Sequence, residues 1–167
     1  MQIKIGRITM NFNTDIFTKF DKDWAILAAG TPEDHNGMTV SWGGMGTLWG
    51  KPVVTVYVRP NRHTYGYTES NERFTLNFFT EDYRKALAVM GSKSGRDCDK
   101  DAEAGLTAVA AGESVGYRQA ETILVCRKLY AADLDGSAIP QEILDTFYDP
   151  EPIHRMYIAE VEEIIEN

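Results

Sequence analysis

The stretch NGMTVSWGGMGTLWGKPVVTVYV, Asn36–Val58, decides how this chain folds. Its last six residues, Val53-Val54-Thr55-Val56-Tyr57-Val58, form the strongest β-strand candidate in the sequence, because β-branched and aromatic side chains fit a pleated surface. Lys51-Pro52 opens that strand, and Asn36-Gly37 predicts a hairpin turn leading into Met38–Trp42. Between the two strands lie Gly43, Gly44, Gly46 and Gly50, which free the backbone to take positive φ and to come close to a flat ligand. Thr39, Ser41 and Thr47 add hydroxyls there, and Met38, Trp42, Met45 and Trp49 add apolar and aromatic surface. Two readings stand side by side: a platform for a heteroaromatic ring, or a bulged strand whose aromatics are plain core.

Working outward, further strands are predicted on both sides. Ile3, Ile5 and Ile8 fall in a strand-like opening, and Asp23–Gly30 reads as a short buried strand ended by Thr31-Pro32. Arg73–Phe79, Ile123–Leu129 and Met156–Ile165 repeat the pattern, and short helices are expected at Thr64–Asn71, Tyr83–Met90 and Gln141–Tyr148. Six or seven strands with only brief helices predict an antiparallel barrel rather than a parallel α/β sheet. No linker, repeat or low-complexity tract divides residues 1–167, so a single domain is expected.

Composition narrows the function. Hydrophobic residues make up 43% and charged residues 25%, the balance of a globular chain, and no apolar run is long enough to span a bilayer. The opening MQIKIGRITMNF has neither an apolar signal core nor a cleavage site. Cys98 and Cys126 are too far apart for a CxxC motif and too few for a disulfide framework, which fits a cytoplasmic chain with reduced thiols. A net charge of -8 argues against nucleic-acid and anionic-membrane partners. Ten acidic residues but only one Lys or Arg, Arg155, lie between Tyr130 and Asn167. Cations gather instead at Arg59, Arg62 and His63 and at Lys93, Arg96 and Lys100, either as a pocket for a small anion or as solvated loop charge.

Several familiar motifs fail. Gly44-Met45-Gly46-Thr47-Leu48-Trp49 begins like a dinucleotide fingerprint, but Trp49 replaces the third glycine and a strand follows. Gly46–Pro52 is one residue short of a phosphate loop and has Pro in place of Ser or Thr. His35, His63 and His154 show no metal-ligand spacing, and no serine sits in a GxSxG setting.

Taken together, Asn36–Trp42, Lys51-Pro52, Val58-Arg59-Pro60-Asn61-Arg62-His63-Thr64, Phe74–Phe79, Gly91–Lys100 and His154-Arg155-Met156-Tyr157 resemble the flavin reductase-like, flavoredoxin-type family of FMN-binding proteins. The likeness spans nearly the whole chain in the family's order. It implies a mainly β fold, an antiparallel, Greek-key-like split β-barrel with a few short peripheral helices. It also implies a homodimer with one FMN per subunit near the interface. Carried over, it sets the isoalloxazine against the backbone of Met38, Thr39, Val40, Ser41 and Trp42 and of Thr47 and Leu48. Arg59, Arg62, Thr64 and Tyr65 fall towards the ribityl-phosphate side, with Ser94, Arg96 and Lys100 as further phosphate or cofactor contacts; His63 stands where tyrosine is expected.

FMN accepts a hydride and releases one or two electrons, so the chain is expected to bind, orient and tune it rather than supply a nucleophile. No side chain is given a general acid–base role, and His154 is read as structural. The leading expectation is an NAD(P)H-dependent flavin reductase with NADH or NADPH as co-substrate. The alternatives are a flavoredoxin-like carrier that exchanges electrons with a basic redox protein, and a split-barrel module that holds flavin or another small ligand without turnover.

Overall fold

The computed structural model of the chain describes Arg7–Thr9 and residues 11–167. Its frame is an eight-stranded antiparallel sheet. The strands are β1 (Arg7–Thr9), β2 (Ala25–Gly30), β3 (His35–Val40), β4 (Gly43–Leu48), β5 (Lys51–Val58), β6 (Arg73–Phe78), β9 (Thr122–Asp133) and β10 (Arg155–Glu166). Neighbours run β3-β2-β6-β9-β10-β5-β4, and β1 pairs with the far end of β10. The hairpin of β7 (Ala108–Ala111) and β8 (Ser114–Tyr117) stands apart. Helices α1 (Ile16–Thr18), α2 (His63–Ser70), α3 (Arg84–Ser92), α4 (Lys100–Ala104) and α5 (Gln141–Phe147) are short. The fold is therefore mainly β with few helices, as the sequence predicts.

Period-two alternation builds two cores from one sheet. Ala25, Leu27 and Ala29 of β2, with Leu124 and Cys126 of β9, turn inward beside Met38 and Val40 of β3 and Val54, Val56 and Val58 of β5. Strands near opposite ends of the order share this cluster, so the sheet curls over its own inner face. The intervening residues Ile26, Ala28, Ile123 and Val125 turn outward, where Leu87 and Met90 of α3 and Val115 and Tyr117 of β8 cover them. Burial on both faces explains why β2 reads as the unbroken apolar run Ala25–Ala29.

Two expectations are corrected. Asn36-Gly37 is not a turn: it lies inside β3, where Gly37 pairs with Ala28 and Asn36 with Ala29. The turn falls earlier, closed by reciprocal backbone hydrogen bonds between Thr31 and Asp34. Gly37 is required by packing instead, since a Cβ there would lie 2.5 Å from Tyr117 Oη and 3.1 Å from Ile26 Cγ2. The glycine-rich segment is also more regular than expected, because Gly43–Leu48 forms β4, joined to β5 by a two-residue turn with Trp49 at φ 52° and Gly50 at φ 69°. The sequence reading had no place for β7, β8 and α4. Ile8 lies in β1, whereas Ile3 and Ile5 lie outside the described residues.

Candidate functional site

Among the described residues strand β3 is an end strand, bonded to β2 alone, so every second backbone amide and carbonyl on its other edge is free of the ladder. Beside that edge opens a cleft of about 160 Å³, lined by Met38–Trp42, Tyr57, Arg59, Arg62 and His154. Trp42 meets Phe147 and His154 edge-on, at ring-centroid distances of 5.3 and 5.4 Å, and Tyr57 meets His154 at 6.4 Å. The cleft therefore joins aromatic walls to an edge of backbone donors and acceptors. Beneath it, Thr39 Oγ1 donates to Leu87 O at 2.5 Å and ties β3 to α3.

A second cleft, of about 190 Å³, lies on the far side of Arg62. Asn36, Asn61, Arg62, His63, Thr64, Lys93, Ser94, Gly95, Arg96 and Lys100 are among its walls. His63 and Thr64 form the first turn of α2, the electropositive end of a helix. Lys100 is only 5% exposed, and its ammonium donates to Gly37 O at 2.7 Å, leaving N–H donors to spare. Burial first, and the charge of Arg62 second, push this amine down to about 8. Burial and Arg59 likewise lower Arg62, whose Nη2 donates to Gly91 O at 2.9 Å. Gly95 has no room for a side chain, because a Cβ would stand 2.1 Å from Asn36 Oδ1. The loop thus lies close over a floor of cations and amides, a lining suited to an anion.

The structure gathers most of the residues singled out in the sequence, and separates some. Met38, Thr39, Val40, Ser41 and Trp42 line the first cleft, Ser94, Arg96, Lys100 and Thr64 line the second, and Arg62 lines both. Thr64 is buried, with Oγ1 accepting from Asn36 Nδ2 at 2.6 Å. Tyr65 packs instead against the inner core. Thr47 and Leu48 stand in β4, opposite Pro52 and Lys51, and neither lines these two clefts. Arg59 is committed elsewhere: Nη1 donates to Pro152 O and Nη2 to Phe147 O, both at 3.0 Å, and its guanidinium lies 5.2 Å from the Tyr148 ring centre. It ties the segment after α5 to the end of β5 beside the first cleft rather than reaching the second.

Sequence reasoning passed over three residues. Tyr57 looked like strand filler, and Asn36 looked like a turn residue. His154 was read as structural, but it is 6% exposed and lines the cleft. Burial, then Arg59, lowers its imidazole to about 4, so the ring is neutral at neutral pH.

The family model for the Flavin reductase like domain matches residues 17–167. No curated protein matches the chain. Among solved structures, flavoredoxin from Methanosarcina acetivorans superposes with a TM-score of 0.70 at 16% identity, over 95% of this chain and 75% of that one. An FMN-binding protein from Thermus thermophilus with bound 1-cyclohex-2-enone gives 0.68 at 18%, over 95% and 78%. Nitrilotriacetate monooxygenase component B from Bacillus cereus gives 0.67 at 17%, over 86% and 68%. At such identities the structures share the fold, and the family match over nine tenths of the residues settles kinship: the chain belongs to the flavin reductase-like family.

Proposed function

We propose that this protein binds FMN across the two clefts and serves as an oxidoreductase through it. The observation that carries the reading is the shared wall at Arg62. On one side lies an aromatic slot along a free strand edge, and on the other a cationic pocket, matching the flat ring and the terminal phosphate of one FMN. Similar structures described as flavoredoxin and FMN-binding protein support the choice of flavin. When bound, FMN supplies hydride acceptance and one- or two-electron release. The chain's own residues do the rest. Trp42, Met38 and Val40 shield the slot from water, and the free edge of β3 offers backbone groups to a ring edge. Lys100, Arg62 and Arg96, with the α2 amino end, hold the phosphate. Titrating the chain with FMN, riboflavin and FAD, read by flavin fluorescence, tests this. FMN should bind at least tenfold more tightly than riboflavin, and equal affinities would remove the phosphate pocket from the proposal.

The leading activity is NAD(P)H-dependent flavin reduction, with the nicotinamide entering from the open side of the first cleft. One observation favours electron exchange with a basic redox protein instead. Glu142, Asp145, Asp149 and Glu151 are exposed on and after α5, beside the cleft mouth, where they would steer a cationic partner. Anaerobic stopped-flow mixing of the FMN-loaded chain with NADH and NADPH separates the two. Rapid bleaching by either nucleotide identifies a reductase, and indifference to both removes that activity and leaves the carrier and the module without turnover.

A further inference from the structure

The segment after α5, which leads into the first cleft at His154, holds a second polar pair. Tyr148 caps the C-terminal end of α5, with its amide on Leu144 O, and its phenol oxygen lies 2.7 Å from His154 Nδ1. His154 is anchored separately, its carbonyl accepting from Leu134 N at 3.0 Å. Among the described residues Nε2 has no hydrogen-bond partner, and the ring lines the cleft. The groups around the imidazole are Trp42 after β3, Tyr57 of β5, Tyr148 at the end of α5, and the cations Arg59 and Arg62 in the same cleft wall.

Which atom of the pair carries the proton follows from acidity. A phenol is a far stronger acid than the N–H of neutral imidazole, and an imidazole nitrogen is a far stronger base than a phenol oxygen, so Tyr148 donates and Nδ1 accepts. The Arg59 guanidinium beside the Tyr148 ring strengthens that donation by drawing electron density from the ring. With Nδ1 occupied as an acceptor, the ring's own proton must sit on Nε2.

We propose that Tyr148 is a positioning residue for His154: its hydroxyl fixes the Nε2–H tautomer, so that the cleft presents a neutral N–H donor to an oxygen or nitrogen lone pair at the edge of a planar ligand. A neutral donor suits an atom that gains electron density during reduction, because it stabilises the charge without having surrendered its proton beforehand. The role in reduction rests on the FMN reading. The tautomer does not, since it is set by residues of this chain.

The test is long-range ¹H–¹⁵N NMR of the ¹⁵N-labelled full-length chain without added flavin, with the His154 signals assigned by their loss in His154→Gln. The native chain should show the Nε2–H form alone at pH 7. Tyr148→Phe should show both tautomers. Its His154 midpoint should also rise by roughly half to one pH unit, because a donor to Nδ1 favours only the neutral ring. An Nδ1–H tautomer in the native chain would overturn the proposal without recourse to any variant. So would a Tyr148→Phe spectrum with native tautomer and midpoint. FMN titration is separate, so loss of the flavin reading and loss of the tautomer reading give different results.

Discussion

Arg59 and Arg62 stand one helical turn apart in sequence and have the same chemistry, yet their surroundings give them different work. Both Arg59 Nη atoms are spent on the carbonyls of Phe147 and Pro152, so Arg59→Ala should loosen the segment that leads to His154 and weaken FMN and riboflavin alike. Arg62 spends Nη2 on Gly91 O and lines the cationic pocket. Arg62→Ala should therefore weaken FMN by about 1.5–3 kcal/mol, the range for charged hydrogen bonds, and riboflavin much less. Parallel affinity measurements with the two flavins on both variants decide this, and a phosphate-selective loss at Arg59 would reverse the assignment. Lys100 adds a pH signature. With its amine held at about 8 in the free chain and raised by a bound phosphate, FMN affinity should fall by at most about tenfold per pH unit above pH 8. Riboflavin should show no such decline, nor should FMN with Lys100→Met.

At the scale of elements, β3 joins the site to the fold. Its first residue, His35, places Nε2 2.6 Å from Asp101 Oδ2, and Tyr117 donates to the other oxygen of that carboxylate at 3.0 Å, so β3, α4 and β8 meet at one carboxylate. The hydrogen bond to Asp101 is the main cause raising His35 above its usual value. The folded state therefore binds the proton more tightly than the unfolded chain. The resulting stability is complete below about pH 6.5 and is lost as pH rises through the higher folded value. Thermal melts across pH 5.5–8 should show this loss in the native chain and not in His35→Gln. Two residues along, Gly37→Ala should cost about 1–3 kcal/mol, because its Cβ would press on Tyr117 Oη and Ile26; a melt unchanged from native would show that Tyr117 gives way. The strands Asp23–Gly30, Val53–Val58, Arg73–Phe79, Ile123–Leu129 and Met156–Ile165 were legible because their apolar residues face cores. The helices at 63–70, 84–92 and 141–147 were legible to within two residues. Asn36-Gly37 misled because local turn chemistry gave way to a long-range packing need, the approach of Tyr117 from eighty residues away. The hairpin β7–β8 escaped notice because Ala108–Ala111 and Ser114–Tyr117 are too small and glycine-broken to read as strands. The site was legible as a set of residue types. That Arg59 serves backbone carbonyls and that His154 opens on a cleft depend on Phe147 and Pro152, about ninety residues away from Arg59 in sequence.

For the whole molecule, exposed apolar side chains predict self-association. Phe17 is 85% exposed, Trp49 65% and Trp42 40%, a large outlay of aromatic surface for a small chain. Two-fold pairing is the commonest way to cover such surface, and Trp42 stands at the cleft itself. The chain is expected to be a homodimer that holds FMN more tightly than its separated subunits do. Light scattering over a dilution series, with flavin fluorescence read on the same samples, should show FMN released as the dimer parts. A particle of 18.7 kDa that keeps its FMN at every concentration would contradict this.

Because β2 and β9 send alternate side chains into both cores, neither core can come apart while the other stays whole. Opening the outer layer strips Ile26, Ala28, Ile123 and Val125 of cover and loosens the same two strands that wall the inner layer. The amides of β2, β6 and β9 should accordingly exchange with deuterated solvent last and together, at the rate of global unfolding, while those of the edge strand β4 exchange early.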